Sequence, residues 1–274
     1  MNEELSIRET QSVSLEILHD IAEICEQNGL RYCLIYGTLI GAIRHNGYIP
    51  WDDDVDIMMP RPDYEKLMII LKKNMNRYPF YEVFNHDNNN FYPYMITRIS
   101  DKRYEIVMDN EKPYGMGVFI DIYPYDGMGE THECALKYGM RGDRLSSFCY
   151  QSTRKHYRVE NTTSIAKKIM KFPVYCIAKM IGKDFFQNKL QKEAAEYDYD
   201  TSKYVGCFVW LSGGDKDIFL KKWFDETIMH KFEKYEFRIP KAYDEILTKI
   251  YGNYMMLPPK EKRIGHHYYK VYRK

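Results

Sequence analysis

The stretch that decides the fold is YGTLIGAIRHNGYIPWDDDVDI, at residues 36–57. Its first part follows a short apolar segment typical of a β-strand, and the residues from Thr38 to His45 favour a short helix with Thr38 as its N-cap. Gly37 allows a ligand to approach the backbone closely, and the free N–H groups at a helix start attract phosphate. By itself this part is more often a turn present for packing reasons, and the alternative is a phosphate-binding turn formed by Gly37 and Thr38.

The second part of the stretch is an acidic strand. Asp54 and Asp56 alternate with Val55 and Ile57, so on a strand both carboxylates lie on one face, with Cα atoms roughly 6.5 Å apart. Oxygen ligands at this spacing suit a divalent cation such as Mg²⁺ or Mn²⁺, and without one the two carboxylates repel each other. Asp52 just before them is either a further acidic residue of the site or part of a solvated turn.

A third carboxylate lies on a later strand. GVFIDIYPYDG, at residues 117–127, is the clearest strand of the chain, and Asp121 is its only charged residue before Asp126. A carboxylate inside an apolar strand is costly to bury unless it is paired or bound to a metal ion. Asp121 is therefore either a third ligand beside Asp54 and Asp56, which we favour, or the partner of a core arginine such as Arg98.

Composition describes an ordinary soluble globular chain. The 274 residues include 45% hydrophobic and 29% charged residues, with a net charge of +1, so no overall field points to nucleic acid as a partner. The six cysteines form no CxxC pair, and scattered cysteines suit a reducing compartment. The polar N-terminus and the absence of a long apolar run favour the cytoplasm, either free or at the inner face of the membrane.

The chain divides by pattern into two parts. Residues 1–130 alternate helical and strand patterns, which predicts an α+β core with a mixed sheet flanked by helices. Residues 131–274 are mostly helical at first and mixed towards the end. We expect this second part to pack on the core and to complete its site.

Other candidate residues are basic, and each has a plain structural interpretation. Guanidinium groups suit phosphate, so Arg44 and Arg98 are either phosphate ligands or structural ion-pair residues. Lys262, Arg263, His266 and His267 are either substrate-binding residues or a solvated basic tail.

Residues 164–181 combine lysines with an apolar stripe. We favour an ordinary surface helix, interrupted at Pro173, that packs its apolar side on the core. The alternative is a basic amphipathic helix that lies on an anionic membrane surface.

Three separated blocks resemble one family. Residues 36–57, residues 117–127 and PKAYDEILTKIYGNYMMLPPKEKRIGHH at 240–267 are similar, in this order, to the motifs of the LicD family of phosphotransferases, which is related to the fukutin group. The resemblance implies a nucleotidyltransferase-type fold. It also implies that Asp54 and Asp56 are the metal-binding pair, that Asp121 is the third carboxylate, and that Asp52 is a further acidic position.

The resemblance also implies an activity. LicD-like proteins transfer phosphocholine from CDP-choline to a glycan of a surface polymer such as lipopolysaccharide or teichoic acid, and fukutin relatives transfer ribitol phosphate. We therefore expect a CDP-alcohol donor, most simply CDP-choline, a glycan or lipid-linked glycan acceptor, and Mg²⁺ or Mn²⁺. The alternatives are a nucleotidyltransferase that moves an NMP from an NTP, and a non-catalytic nucleotide- or glycan-binding module.

Overall fold

The computed structural model describes residues 3–88, 91–112, 114–158, 165–210, 213–265 and 269–274, with the backbone alone at 165–168. The helices within these ranges are α1 (Ile7–Gln27), α2 (Tyr36–His45), α3 (Arg61–Asn74), α4 (His132–Thr153), α5 (Ile165–Ile181), α6 (Lys183–Ala194) and α7 (Tyr243–Tyr251). The strands are β1 (Cys33–Leu34), β2 (Asp56–Pro60), β3 (Tyr81–Phe84), β4 (Thr97–Asp101), β5 (Tyr104–Met108), β6 (Val118–Gly129), β7 (Tyr204–Gly206), β8 (Phe219–Leu220), β9 (Thr227–Phe232), β10 (Tyr235–Pro240) and β11 (Tyr269–Arg273).

A mixed sheet forms the centre of the molecule. Its main order is β1-β2-β6-β4-β3, and β7 and β8 extend it from β6. The pair β2–β6 is parallel, whereas β4 runs antiparallel to both β6 and β3. Mixed helix and strand content around one sheet confirms the predicted α+β class.

Strand β6 is the long central element because its sequence is apolar on both faces. All of its residues from Val118 to Gly129 are buried. Helices α1 and α3 pack against it, and α4 packs against it from the second part of the chain. The core thus forms around β6 from both parts of the sequence.

The C-terminal part contributes strands as well as helices. Strand β7 pairs with β6, and β11 pairs with β5, whose residues all precede position 131. The change from β6 to α4 falls at Gly129–His132, close to the expected boundary near residue 130. The division into a core and a C-terminal part stays a prediction.

The beginnings of two elements differ from the sequence-based expectation. Helix α2 begins at Tyr36 with Ile35 as its N-cap, so the prediction that Thr38 caps it is wrong. Strand β2 begins at Asp56, so Asp54 precedes the strand instead of lying on it. The Thr38 hydroxyl accepts a hydrogen bond from the backbone of Asp56, and the backbone before β2 is bonded to β6 from Val55 onward; local propensity contains neither contact.

A buried ion pair ties α3 to the sheet. Arg61 donates from Nε to Oδ1 of Asp126 at 2.6 Å and from Nη2 to Oδ2 at 3.0 Å. The Asp126 side chain is fully buried. Burial raises the pKa of Asp126, and the charge of Arg61 opposes that rise.

We expect Asp126→Asn to lower the free energy of unfolding by about 3–5 kcal/mol, because it leaves the buried Arg61 charge without compensation. Urea denaturation measures this change. Asp225→Asn removes the same charge from a pair with Lys221 in which the carboxylate is exposed, and it should cost at most about 1 kcal/mol. Equal effects of the two substitutions would contradict the structural role of the buried pair.

Candidate functional site

Two of the three predicted acidic residues are direct neighbours in the sheet. In the parallel pair β2–β6, Asp56 is the register partner of Asp121. Partners on adjacent strands lie about 4.8 Å apart and point to the same face. Both side chains are almost fully buried. The sheet therefore brings together two carboxylates that are 65 positions apart in the sequence.

Asp54 lies beside this pair, although it is in the loop before β2. Burial raises the pKa of the Tyr123 phenol, and the charges of Asp56, Asp121 and Asp54 raise it further. All three carboxylates are therefore close enough to Tyr123 to raise its pKa. Tyr123 follows Asp121 by two residues and shares its face of β6, so this alternation was the signal that could have identified it from sequence.

Thr38 joins the start of α2 to the start of β2. Its hydroxyl oxygen accepts a hydrogen bond from the backbone N–H of Asp56 at 2.8 Å, and both residues are buried. This bond positions the backbone that carries the Asp56 carboxylate. The predicted importance of Thr38 thus has a structural reason, while a direct contact with substrate stays a prediction.

Gly37 makes room for Asp52 at the same helix start. A Cβ atom at Gly37 would lie 2.8 Å from Oδ2 of Asp52, so a larger residue would displace that carboxylate. A negative group beside the first turn of a helix is electrostatically favourable. The place predicted to hold a phosphate therefore adjoins a carboxylate of the chain itself.

Arg98 holds Asp121 from the neighbouring strand. It donates from Nε to Oδ1 at 2.7 Å and from Nη2 to Oδ2 at 3.4 Å. Its guanidinium lies over the rings of Phe119, at 4.1 Å, and Tyr94, at 4.7 Å. Of the two interpretations of Arg98, the structure shows the ion pair with Asp121.

The C-terminal part adds two phenols to the acidic cluster. Tyr251 at the end of α7 is 44% exposed, and partial desolvation together with the charges of Asp56 and Asp54, among other carboxylates, raises its pKa. Burial also raises the pKa of Tyr269 in β11, with contributions from Asp53, Asp54 and Asp121 that Arg98 opposes. Neither tyrosine was identified from sequence, because no local pattern connects them to the acidic strand.

A second, basic cluster lies where the first and third sequence blocks meet. The Arg263 guanidinium is 5.7 Å from the centre of the Trp51 ring, and its Nε donates to the carbonyl oxygen of Pro258 at 2.8 Å. Arg44 donates to His45 Nε2 at 2.9 Å and to the carbonyl oxygen of Tyr254 at 2.7 Å.

The two arginines of this cluster are near each other. Burial lowers the pKa of Arg44, and the positive charge of Arg263 lowers it further. Throughout the described part of the chain, no carboxylate forms an ion pair with either guanidinium. Lys262 is exposed next to Arg263, and His266 and His267 lie outside the described residues.

The donor set suits a hard divalent cation by its chemistry. Asp56 and Asp121 are neighbours on one face of the sheet, Asp54 is beside them, and carboxylate oxygens are the ligands that Mg²⁺ prefers. Among the described residues, no three acidic, histidine or cysteine side chains are yet arranged around a common point, and Asp121 is turned to Arg98. A cation at this place would therefore share Asp121 with Arg98.

Comparison with known proteins gives the family. Residues 29–144 match the LicD/FKTN/FKRP nucleotidyltransferase domain. The chain is 32% identical over 278 aligned residues, 98% of each chain, to the lipopolysaccharide cholinephosphotransferase LicD of Haemophilus influenzae. It is also 41% identical over 58 residues, 21% of this chain and 19% of the relative, to an uncharacterised protein of Rickettsia typhi.

The family match and the whole-length similarity place the chain among enzymes of the transferase class. The chain belongs to the LicD family, as the resemblance of the three blocks indicated.

We expect Thr38→Val to lower the free energy of unfolding by about 1–3 kcal/mol, because it leaves the buried Asp56 N–H without its acceptor. Denaturant unfolding measures the loss. Thr38→Ser keeps the hydroxyl and should retain most of the stability. If the serine and valine variants are equally destabilised, the bond to Asp56 is not the reason.

Proposed function

We propose that this protein transfers phosphocholine from CDP-choline to a hydroxyl group of a lipopolysaccharide-type glycan and releases CMP. The transferred group and the acceptor rest on the similarity over 98% of the chain to a lipopolysaccharide cholinephosphotransferase. The observation that supports transfer chemistry most directly is the register pair Asp56–Asp121, which joins the first and second sequence blocks.

The reaction is a displacement at phosphorus. The acceptor oxygen forms a bond to the phosphorus that carries choline, the bond from that phosphorus to the CMP oxygen breaks, and the hydroxyl proton passes to a carboxylate of the site. Such a reaction depends on alignment and on neutralisation of charge more than on covalent catalysis. Mg²⁺ or Mn²⁺ bound by Asp54, Asp56 and Asp121 would neutralise charge on the diphosphate.

The chain's own residues have separate tasks in this proposal. Asp121 is the candidate acceptor of the proton, since it faces the cluster and Arg98 holds it in one orientation. Arg98 is then a positioning residue. Thr38 is likewise a positioning residue, because its hydroxyl oxygen accepts a hydrogen bond from the backbone N–H of Asp56.

Arg44 and Arg263 are the candidates for holding the donor's diphosphate. Two neighbouring guanidinium groups that have no carboxylate partner in the described ranges form a site of positive charge. Guanidinium groups bind phosphate oxygens with directed, charge-assisted hydrogen bonds. Trp51, which Arg263 overlies, offers an aromatic face next to them.

A nucleotidyltransferase that uses an NTP remains the second candidate, because the family's matched domain carries that description and the same carboxylates would serve it. A binding module without turnover is the third. Calorimetry in the presence of Mg²⁺ with CDP-choline, CDP-ribitol, CTP and ATP distinguishes the donors, and release of CMP distinguishes an enzyme from a binding module.

We expect the double substitution Asp54→Asn with Asp56→Asn to lower Mg²⁺-dependent CMP release from CDP-choline by about a hundredfold or more, because metal assistance contributes several kcal/mol. A chelator should stop the reaction, and Mg²⁺ or Mn²⁺ should restore it. Asp225→Asn, an exposed substitution away from the cluster, should leave the rate unchanged. An unchanged rate in the double variant would rule out the proposed site.

We expect Arg44→Gln and Arg263→Gln each to weaken CDP-choline binding by about tenfold, since a hydrogen bond to a charged group contributes about 1.5–3 kcal/mol. Binding of uncharged cytidine should change little, because it lacks the diphosphate. Arg238→Gln is the matched control, since Arg238 pairs with Glu26 at an exposed position. Equal losses for cytidine and CDP-choline would assign the arginines a structural role.

A further inference from the structure

Helix α5 exposes the apolar side that the sequence analysis expected to be buried. Met180 is 86% exposed, Met170 is 75% exposed and Ile169 is 68% exposed. Among the side chains described in this helix, Ala178 alone is buried. The prediction that the helix packs its apolar side on the core is therefore wrong. The reason is that α5 packs against α4 and α6, and the side that includes the buried Ala178 makes this contact.

The exposed residues form one continuous surface. Ile169, Pro173, Ile177 and Met180 follow at intervals of four, four and three residues, so they lie in one stripe along the helix. Val174 and Ile181 extend the stripe on one side and are also exposed. These six residues together with Met170 are called the apolar face of α5.

The opposite side of α5 is attached to the protein. Tyr175 donates from its hydroxyl to the carbonyl oxygen of Arg154 at 3.5 Å, and Ala178 is completely buried three residues later. The rings of Tyr157 and Tyr175 are in contact, with centres 5.4 Å apart. Since the attached side is fixed by these contacts, the apolar face is directed away from the protein body.

The charge of α5 has one sign only. The helix carries four lysines, Lys167, Lys168, Lys171 and Lys179, and no acidic residue. Lys171 shares the attached side with Tyr175 and Ala178 by its spacing. Lys179 lies 5.7 Å from the centre of the Tyr175 ring. The two lysines described in full thus lie between the apolar face and the protein body.

We propose that α5 docks on an anionic lipid surface, with its apolar face at the boundary of the acyl chains and its lysines at the level of the headgroups. This order of layers, with apolar residues outermost and lysines behind them, is that of a helix that lies in a membrane interface. No helix in the described ranges is long and apolar enough to cross a bilayer.

Charge decides between a membrane and a second copy of this chain. A second copy that presented its own α5 would bring further lysines and no carboxylate of that helix to compensate them. An anionic lipid surface supplies the compensating charge, and each lysine near such a surface gains attraction from it. This inference does not depend on which group the enzyme transfers.

The test is co-sedimentation of the full chain with vesicles of phosphatidylcholine alone or mixed with phosphatidylglycerol. We expect binding to the mixed vesicles at low salt and much weaker binding to the neutral ones. Met180→Glu combined with Ile177→Glu should weaken binding by about tenfold or more, because both changes place charge on the surface that enters the interface. Ile69→Glu, on the exposed side of α3, should not.

The lysines are tested separately. Lys171→Glu with Lys179→Glu should reduce binding to anionic vesicles severalfold, whereas Lys72→Glu with Lys73→Glu makes the same change of charge on α3 and should have little effect. Far-UV circular dichroism checks that all variants are folded.

Two outcomes would overturn the proposal. One is absence of binding to anionic vesicles at low salt. The other is self-association of the chain that depends on its concentration, measured by sedimentation equilibrium. If Met180→Glu abolishes this self-association but leaves vesicle binding unchanged, the apolar face belongs to an interface with a second copy.

Discussion

The parallel pairing of β2 with β6 is the constraint on which the rest of the structure depends. It fixes Asp56 directly opposite Asp121, and a shift of one residue in register would turn one of the two carboxylates to the other face of the sheet. The register is secured because both strands are buried along their whole length. The backbone bond from the Asp121 N–H to the Val55 carbonyl oxygen continues the pattern at the start of the pair, and the bond from the Ile35 N–H to the Asp56 carbonyl oxygen ties β2 to the end of β1.

Charge that is gathered in a buried place requires compensation, and the fold provides it from several elements. Arg98 on β4 neutralises Asp121 with two hydrogen bonds, and Thr38 on α2 satisfies the backbone of Asp56. The carboxylates of the cluster raise the pKa of Tyr123, Tyr251 and Tyr269, so these phenols stay protonated near it. The last two belong to the C-terminal part of the chain.

A series of direct contacts leads from this cluster to α5. Arg98 lies over Tyr94, the Tyr94 hydroxyl donates to Glu111, and Glu111 accepts from Arg154 at 2.5 Å. The carbonyl oxygen of Arg154 in turn accepts from Tyr175 of α5. The element with the exposed apolar face is thus attached to the same buried polar network that holds Asp121.

The pattern of residue types along the sequence by itself determined the acidic pair at Asp54 and Asp56, the isolated Asp121, the mixed α+β content and the three family blocks. It could do so because alternation and helical spacing are properties of neighbouring residues. It was wrong about the N-cap at Thr38 and about the packing of α5, since both depend on which partner a side chain meets. Only the tertiary structure decided that Asp121 faces Arg98, that Tyr251 and Tyr269 join the cluster, and that Arg44 lies near Arg263. These pairings connect residues up to about 220 positions apart, and no short-range periodicity records such contacts.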